Sequence, residues 1–300
     1  MALWQAELLK DLLTDIGVES ELVLIKSEGD LNTKDYLHSM STIGVFTKAL
    51  DDALLAGKID VAVHSCKDMP TELTSGIHLG AYLERDGSED SLVLPEGRTE
   101  ITEDDLAADQ VLGTGSLRRK AQWLNRYPNH KIDNLRGNVN TRLRKLNESQ
   151  WLGAIFSKSG LSRLGILPEN SIDIDWMVPA PAQGVIAVVC CSEEQDIIEI
   201  LSKLNHRETA ITSSVERKFM NVLEGGCSAP IGAKAIIEGN NLHFHGTLHN
   251  PAGNKKVEVE RTVPLSEIDD FGALMAQEIL ENGGVEILEE IKEVTNKQND

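Results

Sequence analysis

The sequence has no apolar stretch approaching the roughly 18 consecutive residues that a helix needs to cross a bilayer, so no membrane partner is expected. Its first residues form an amphipathic pattern in place of a charged start, an apolar run and a cleavage site, and the expected location is cytoplasmic. Cysteine is scarce: Cys66, Cys190, Cys191 and Cys227 show neither metal-ligand spacing nor a disulfide framework. That suits a reducing compartment, and no metal site, structural zinc included, is expected. Positive charge is short as well, with 29 Lys and Arg against 48 Asp and Glu and a formal net charge of -19. Nucleic acid is therefore not an expected partner, since phosphate-backbone binding needs a broad positive footprint. Internal repeats and low-complexity linkers are also missing.

What is present is material for substantial cores: 300 residues, 41% of them hydrophobic, a length that suggests two or three domains. The scarce positive charge is concentrated. Between Val111 and Gln150 nine Lys and Arg face two Asp and Glu, mostly in two glycine-flanked motifs, Gly113-Thr114-Gly115-Ser116-Leu117-Arg118-Arg119 and Leu135-Arg136-Gly137-Asn138-Val139-Asn140-Thr141-Arg142. Arginine forks bind carboxylates and phosphates bidentately, and glycines let backbone N–H groups approach the same anion. A small polyanion is the expected ligand; taken alone, the motifs also read as a solvated basic helix face.

Periodicity predicts a helix over 2–16 with Gly17 as its stop, a short strand over 22–25, a helix over 45–56 ending at Gly57, and a strand over 59–63. Such βα alternation predicts a mostly parallel sheet with ligands at the carboxyl ends of its strands, where Ser65, Lys67 and Asp68 fall. A second unit follows the polar stretch 84–90, with a strand near Val111, helices over 117–126 and 140–146 and a strand over 154–156. Both arginine motifs then stand at turns into helices, whose free N–H groups and partial positive charge favour anions. The apolar run 185–190 reads as a buried strand returning to the first sheet. Beyond Asn205 a helix to Val222, strands over 233–237, 242–245 and 257–263, and a helix over 268–282 make an α+β module.

Two more blocks frame the arginine motifs: Val61-Ala62-Val63-His64-Ser65-Cys66-Lys67-Asp68-Met69-Pro70 upstream, and Leu223-Glu224-Gly225-Gly226-Cys227-Ser228-Ala229-Pro230-Ile231-Gly232 downstream. In this order the four blocks resemble the porphobilinogen deaminase (hydroxymethylbilane synthase) family, from Ala2-Leu3-Trp4-Gln5-Ala6 to the last helical pattern before Lys292. The resemblance implies an α/β fold of two periplasmic-binding-protein-like α/β domains plus a smaller α+β C-terminal domain. Domain 1 would take 1–84 and 185–204, domain 2 would take 89–180, and domain 3 would take 206–300. It implies a transferase of tetrapyrrole and haem biosynthesis that joins four porphobilinogen molecules head to tail with release of ammonia. The expected partners are porphobilinogen and the growing oligopyrrole chain, on a monomer.

Site residues follow from the same resemblance. Asp68 would be catalytic, a fixed carboxylate beside the positive charge that develops on the pyrrole nitrogen, able to accept and return protons. Cys227 would carry a dipyrromethane cofactor through a thioether; Cys66 is a less favoured anchor. Ser65, Lys67, Thr114, Ser116, Arg118, Arg119, Arg136, Gly137 and Asn138 would hold the cofactor's carboxylates, with Arg142, Arg163 and Gln183 on the substrate side. Arg163 also reads as a helix-end surface arginine, and Gln183, in the hinge-like run Val178-Pro179-Ala180-Pro181-Ala182-Gln183-Gly184, as part of a plain crossover.

Two departures stand out. The family's strand ending in Thr-Arg-x-Ser has no counterpart before Ala2, and Ser39 and Ile43 stand where many relatives carry lysines. The alternatives to an active deaminase are therefore a truncated deaminase fold with little or no turnover, and a two-lobed small-anion-binding protein.

Overall fold

The computed structural model describes residues 1–25, 47–223 and 229–299. Ser39 and Ile43, in 26–46, and Cys227, in 224–228, lie outside the described residues.

The chain begins with α1 (Ala2–Asp15), whose buried positions Gln5, Leu9 and Leu13 recur every four residues and so share one face. α2 (Lys48–Leu55) precedes β1 (Val61–Ser65), and β2 (Ile77–Tyr82) follows. Between these two strands lies β8 (Ile186–Cys191), the 185–190 run of the sequence, back in the first sheet. Its apolar residues serve two layers. Ile186, Val188 and Cys190 pack against Leu9, Leu13 and Leu201, while Ala187 and Val189 pack against Leu54, Ala62 and Tyr82. A strand covered on both faces has no use for polar alternation.

β8 runs antiparallel to both neighbours, so this sheet is not the mostly parallel one expected. The reason is the path of the chain. Ser65, at the end of β1, pairs with Ile186 at the start of β8, and Tyr82, at the end of β2, with Ala187. The chain therefore leaves for the second unit and returns from it at one end of the sheet, the end that carries the Ser65 loop. The run 22–25 forms no strand either; Leu24 is 79% exposed, with no described neighbour to pair its backbone.

The second sheet has the order β5 (Lys131–Asp133), β4 (Val111–Gly113), β6 (Gly153–Ser157), β3 (Asp90–Val93), β7 (Ser171–Asp173). Here β4 is parallel to β5 and β6, while β3 is antiparallel to β6 and β7. α3 (Glu103–Ala107) buries no residue; the faces are covered by α4 (Leu117–Arg126), α5 (Val139–Asn147) and α6 (Lys158–Ser162) around two cores, one centred on Trp123 and Ile155, the other on Phe156 and Leu146.

After α7 (Gln195–Ser202) the third unit opens with α8 (Arg207–Val222). An antiparallel meander follows, β9 (Ile231–Glu238), β10 (Asn241–His249) and β11 (Lys256–Pro264). α9 (Phe271–Ile279) packs against α8 and the sheet, and Phe219, Phe244 and Phe271 meet edge to face in the core. The helix expected to stop at 282 continues through a kink at Asn282 and Gly283 (φ +105°) into α10 (Val285–Asn299).

One buried carboxylate ties the units together. Glu216 on α8 takes two hydrogen bonds from the Arg85 guanidinium (2.8 and 2.7 Å), one from Ala182 N in the returning crossover (2.7 Å) and one from Ala235 N on β9 (2.7 Å). Where the two crossovers touch, Gly184 has φ +82°, and a Cβ there would lie 1.7 Å from Gly87 O, so only glycine fits.

His249 ends β10 at 2% exposure, and its Nδ1 finds no hydrogen-bond partner among the described residues. Burial, reinforced by Lys256 and Arg118, lowers its pKa to about 4. Burial also lowers the pKa of His64. Between about pH 4 and 6.5 the unfolded chain binds a proton at residue 249 that the folded chain refuses, so stability rises with pH through that window. We expect wild type to lose about 2–3 kcal/mol more than His249→Asn between pH 7 and pH 4.5, as measured by urea unfolding. Parallel losses would show that His249 does not set this dependence.

Candidate active site

β1 ends at Ser65 and the chain turns through a single 3-10 turn, Cys66–Asp68. Three residues per turn put Cys66 and Met69 on one side, and both are buried in the first core. Lys67, half-buried, and Asp68, exposed, project the other way. The turn is pinned by Cys66 N donating to Val185 O (2.9 Å), and the Ser65 hydroxyl accepts from Gln5 Nε2 on α1 (2.9 Å).

Facing this loop are the starts of two helices. Ser116 caps α4, its hydroxyl accepting from Arg119 N, and Thr114 Oγ1 accepts from Ser116 N (3.2 Å). Asn138 caps α5, its Oδ1 accepting from Thr141 N (2.9 Å). Before it Gly137 has φ +113°, and an added Cβ would lie 2.8 Å from Thr141 Cγ2. Arg142 then reaches back one turn to donate to Gly137 O (2.7 Å).

The adjacent arginines Arg118 and Arg119 are both buried on Asp90, a carboxylate of β3 with no solvent exposure. Arg119 donates twice to Asp90 Oδ1 (3.1 and 2.8 Å), Arg118 forms an ion pair with Oδ2 (2.8 Å), and Gln183 Nε2 adds a bond to Oδ1 (2.9 Å). Burial alone would push the Asp90 carboxyl up, but the two guanidiniums overcome it and hold it well below the usual carboxylate range. Arg118 spends another donor on Val178 O, and Arg119 one on Ile155 O.

A cleft lies between the Ser65 loop and these helices. Among the described residues its walls carry the cations Lys67, Arg119, Arg142 and Arg163 and one carboxylate side chain, Asp68, with the hydroxyls of Ser65, Ser157 and Ser159. Burial lowers the pKa of Lys67 against the pull of Asp68, and lowers that of Arg142, on which Arg119 and Arg136 press further. Arg163 is no surface residue: it is buried, donates to Gly184 O (2.6 Å) and lies over the Trp4 ring at 5.6 Å. Thus Ser65, Lys67, Asp68, Arg119, Arg142 and Arg163 share one cleft. Arg118 and Gln183 are not on its walls; their polar groups face Asp90 and the crossover carbonyls, Ser88 O among them. Asp90 itself went unread in the sequence, although an acid opening the apolar run Ser91-Leu92-Val93-Leu94 is the signature of a buried charge that needs partners.

Residues 1–199 match the family model described as porphobilinogen deaminase, dipyromethane cofactor binding domain, and residues 210–281 match porphobilinogen deaminase, C-terminal domain. The chain belongs to the porphobilinogen deaminase family. It is 36% identical over 303 residues to the porphobilinogen deaminase of a Nitratiruptor species, covering 99% of this chain and 96% of that one. It is 40% identical over 247 residues to the chloroplastic porphobilinogen deaminase of Oryza sativa subsp. japonica, covering 81% and 68%. Among solved structures it is similar to an ancestral cationic amino acid solute binding protein, with a TM-score of 0.40, 13% identity and coverage of 67% and 77%, too slight a likeness to speak to function. The family's dipyromethane cofactor fits the donor set: four cations and three hydroxyls on one cleft match a ligand that carries several carboxylates. Among the described residues, no helix is long and apolar enough to cross a membrane.

Proposed function

We propose that this chain is a hydroxymethylbilane synthase, joining four porphobilinogen molecules head to tail with loss of ammonia, in the cytoplasm and as a monomer. The observation that carries the reading is the placement of exposed Asp68 among Lys67, Arg119, Arg142 and Arg163 on one cleft of a net-acidic chain. A monomer suffices because all these groups come from one chain, and the free thiols of Cys66, Cys190 and Cys191 suit a reducing compartment.

In this reading Ser65, Lys67, Arg119 and Arg136, the hydroxyls of Thr114 and Ser116 and the N–H groups of Gly137 and Asn138 hold the cofactor's carboxylates, Arg118 holds Asp90 behind them, and Cys227 holds the cofactor's carbon through a thioether. When bound, the dipyrromethane supplies the pyrrole carbon onto which the first substrate ring is joined. Arg142 and Arg163 orient the incoming ring through its carboxylates, and Gln183 keeps Asp90 and the crossover in place behind them. At each coupling the aminomethyl C–N bond breaks, ammonia leaves, a C–C bond forms, and the acceptor carbon gives up a proton. Asp68 faces the pyrrole N–H, stabilises the positive charge developing there, and takes up or returns that proton. The units 1–84 with 185–204, 89–180 and 206–300 act as three domains, the first two enclosing the cleft and the third bringing Cys227 to it.

The anion-binding alternative is weaker, because a receptor has no use for a carboxylate set among the cations that hold an anion. Incubation with porphobilinogen separates the readings. A deaminase releases one ammonia per porphobilinogen consumed and yields a linear tetrapyrrole; binding without ammonia release favours the receptor.

A further inference from the structure

Arg217 on α8 sends its guanidinium into the backbone of the loop that carries Lys67 and Asp68. One nitrogen donates to Cys66 O at 3.1 Å and the other to Pro70 O at 2.5 Å, with Met69 O and Thr71 O at the edge of range, 3.5 and 3.4 Å. Its neighbours on the helix are engaged elsewhere: Glu216 pairs with Arg85, and Lys218 lies 3.9 Å from Asp270. A planar fork with fixed donors suits such a task, since it can grip carbonyls on both sides of a turn at once. The Asp68 side chain stands at the exposed side of this turn, so its place in the cleft follows the backbone that Arg217 holds. The same helix runs on to Val222 and leads into 224–228, the segment with Cys227.

We propose that Arg217 is a positioning residue for the condensation. It fixes the 66–71 backbone to the helix that leads to the anchoring cysteine, so that Asp68 stands where the reacting pyrrole nitrogen is brought. This rests on the functional reading above. Arg217 touches neither substrate nor cofactor; it acts through the loop.

The test is a double-mutant cycle on the cofactor-loaded enzyme, with amide hydrogen exchange as a readout that needs no turnover. Arg217→Met should lower kcat about 10²-fold with KM unchanged, the scale of loss that a misplacement of about 1 Å produces. Arg217→Lys should restore part of that loss, since an ammonium can still reach one or two of the carbonyls. On the Asp68→Asn background Arg217→Met should cost nothing further, because the group it positions is gone. Amides of 67–73 should exchange faster in Arg217→Met than in wild type. If Arg217→Met does not fold, Arg217→Lys carries the same comparison with a smaller loss that again vanishes beside Asp68→Asn. Wild-type kcat in Arg217→Met, an undiminished loss on the Asp68→Asn background, or unchanged exchange would overturn the proposal. A wild-type chain that releases no ammonia from porphobilinogen overturns the functional reading and the positioning role with it. A working wild type and a slow Asp68→Asn beside an unimpaired Arg217→Met overturn the positioning role alone.

Discussion

Cys227→Ala should leave the protein without covalent pyrrole, its denatured mass that of the bare polypeptide, and turnover should disappear with the adduct. The described thiols explain why no other residue takes over. Cys66 is buried and its pKa is pushed up to about 11 by that burial, so it holds almost no thiolate at neutral pH. Cys190 is buried in β8, where burial again raises its pKa, and Cys191 gives its S–H to Leu54 O (3.2 Å). None of the three lines the cleft. Circular dichroism should show the secondary structure of wild type. An adduct at full occupancy in Cys227→Ala would move the anchor to another residue.

Asp68→Asn should slow condensation by about 10²–10³, the usual cost of removing one fixed electrostatic stabiliser. The amide keeps the shape and can still accept a hydrogen bond, but it neither opposes the developing cation nor takes up the proton. Asp68 is exposed and packs in no core, so the substitution should leave the melting temperature unchanged. Porphobilinogen consumption with the cofactor already attached reads the effect on chemistry alone. Turnover near the wild-type rate would remove Asp68 from the central role.

The parts of the site that were legible in the sequence are those written locally. The two glycine-flanked arginine motifs were read as turns into helices, and the structure puts the starts of α4 and α5, capped by Ser116 and Asn138, at the cleft. What stayed hidden depends on distant partners. Arg118 and Arg119 are one residue apart, yet a helix turns about 100° between them, and only Arg119 reaches the cleft wall. The sequence does not say which, because the choice is made by Asp90 on a strand that was itself unread.

The sheet direction was missed for a similar reason. Local βα alternation points to parallel pairing, but β8 enters the first sheet after a detour of about a hundred residues through the second unit. Its direction follows from where the crossovers lie, which no local pattern encodes. β2 was missed as well, since Gly80 interrupts it, at a shift of register where a Cβ would lie 2.4 Å from Leu201 Cδ1. Likewise, nothing in the 22–25 run reveals that its apolar side chains find no described sheet to join.

The most direct test of chain growth at this cleft is the denatured mass of the wild-type protein after successive additions of less than one turnover's worth of porphobilinogen. Stepwise condensation predicts a resident adduct of two pyrrole units and then a ladder of species, each heavier by one further unit, until the tetrapyrrole is released and the starting mass returns. A single unchanging mass while porphobilinogen is consumed, or bare polypeptide throughout, would contradict stepwise condensation on a covalent primer.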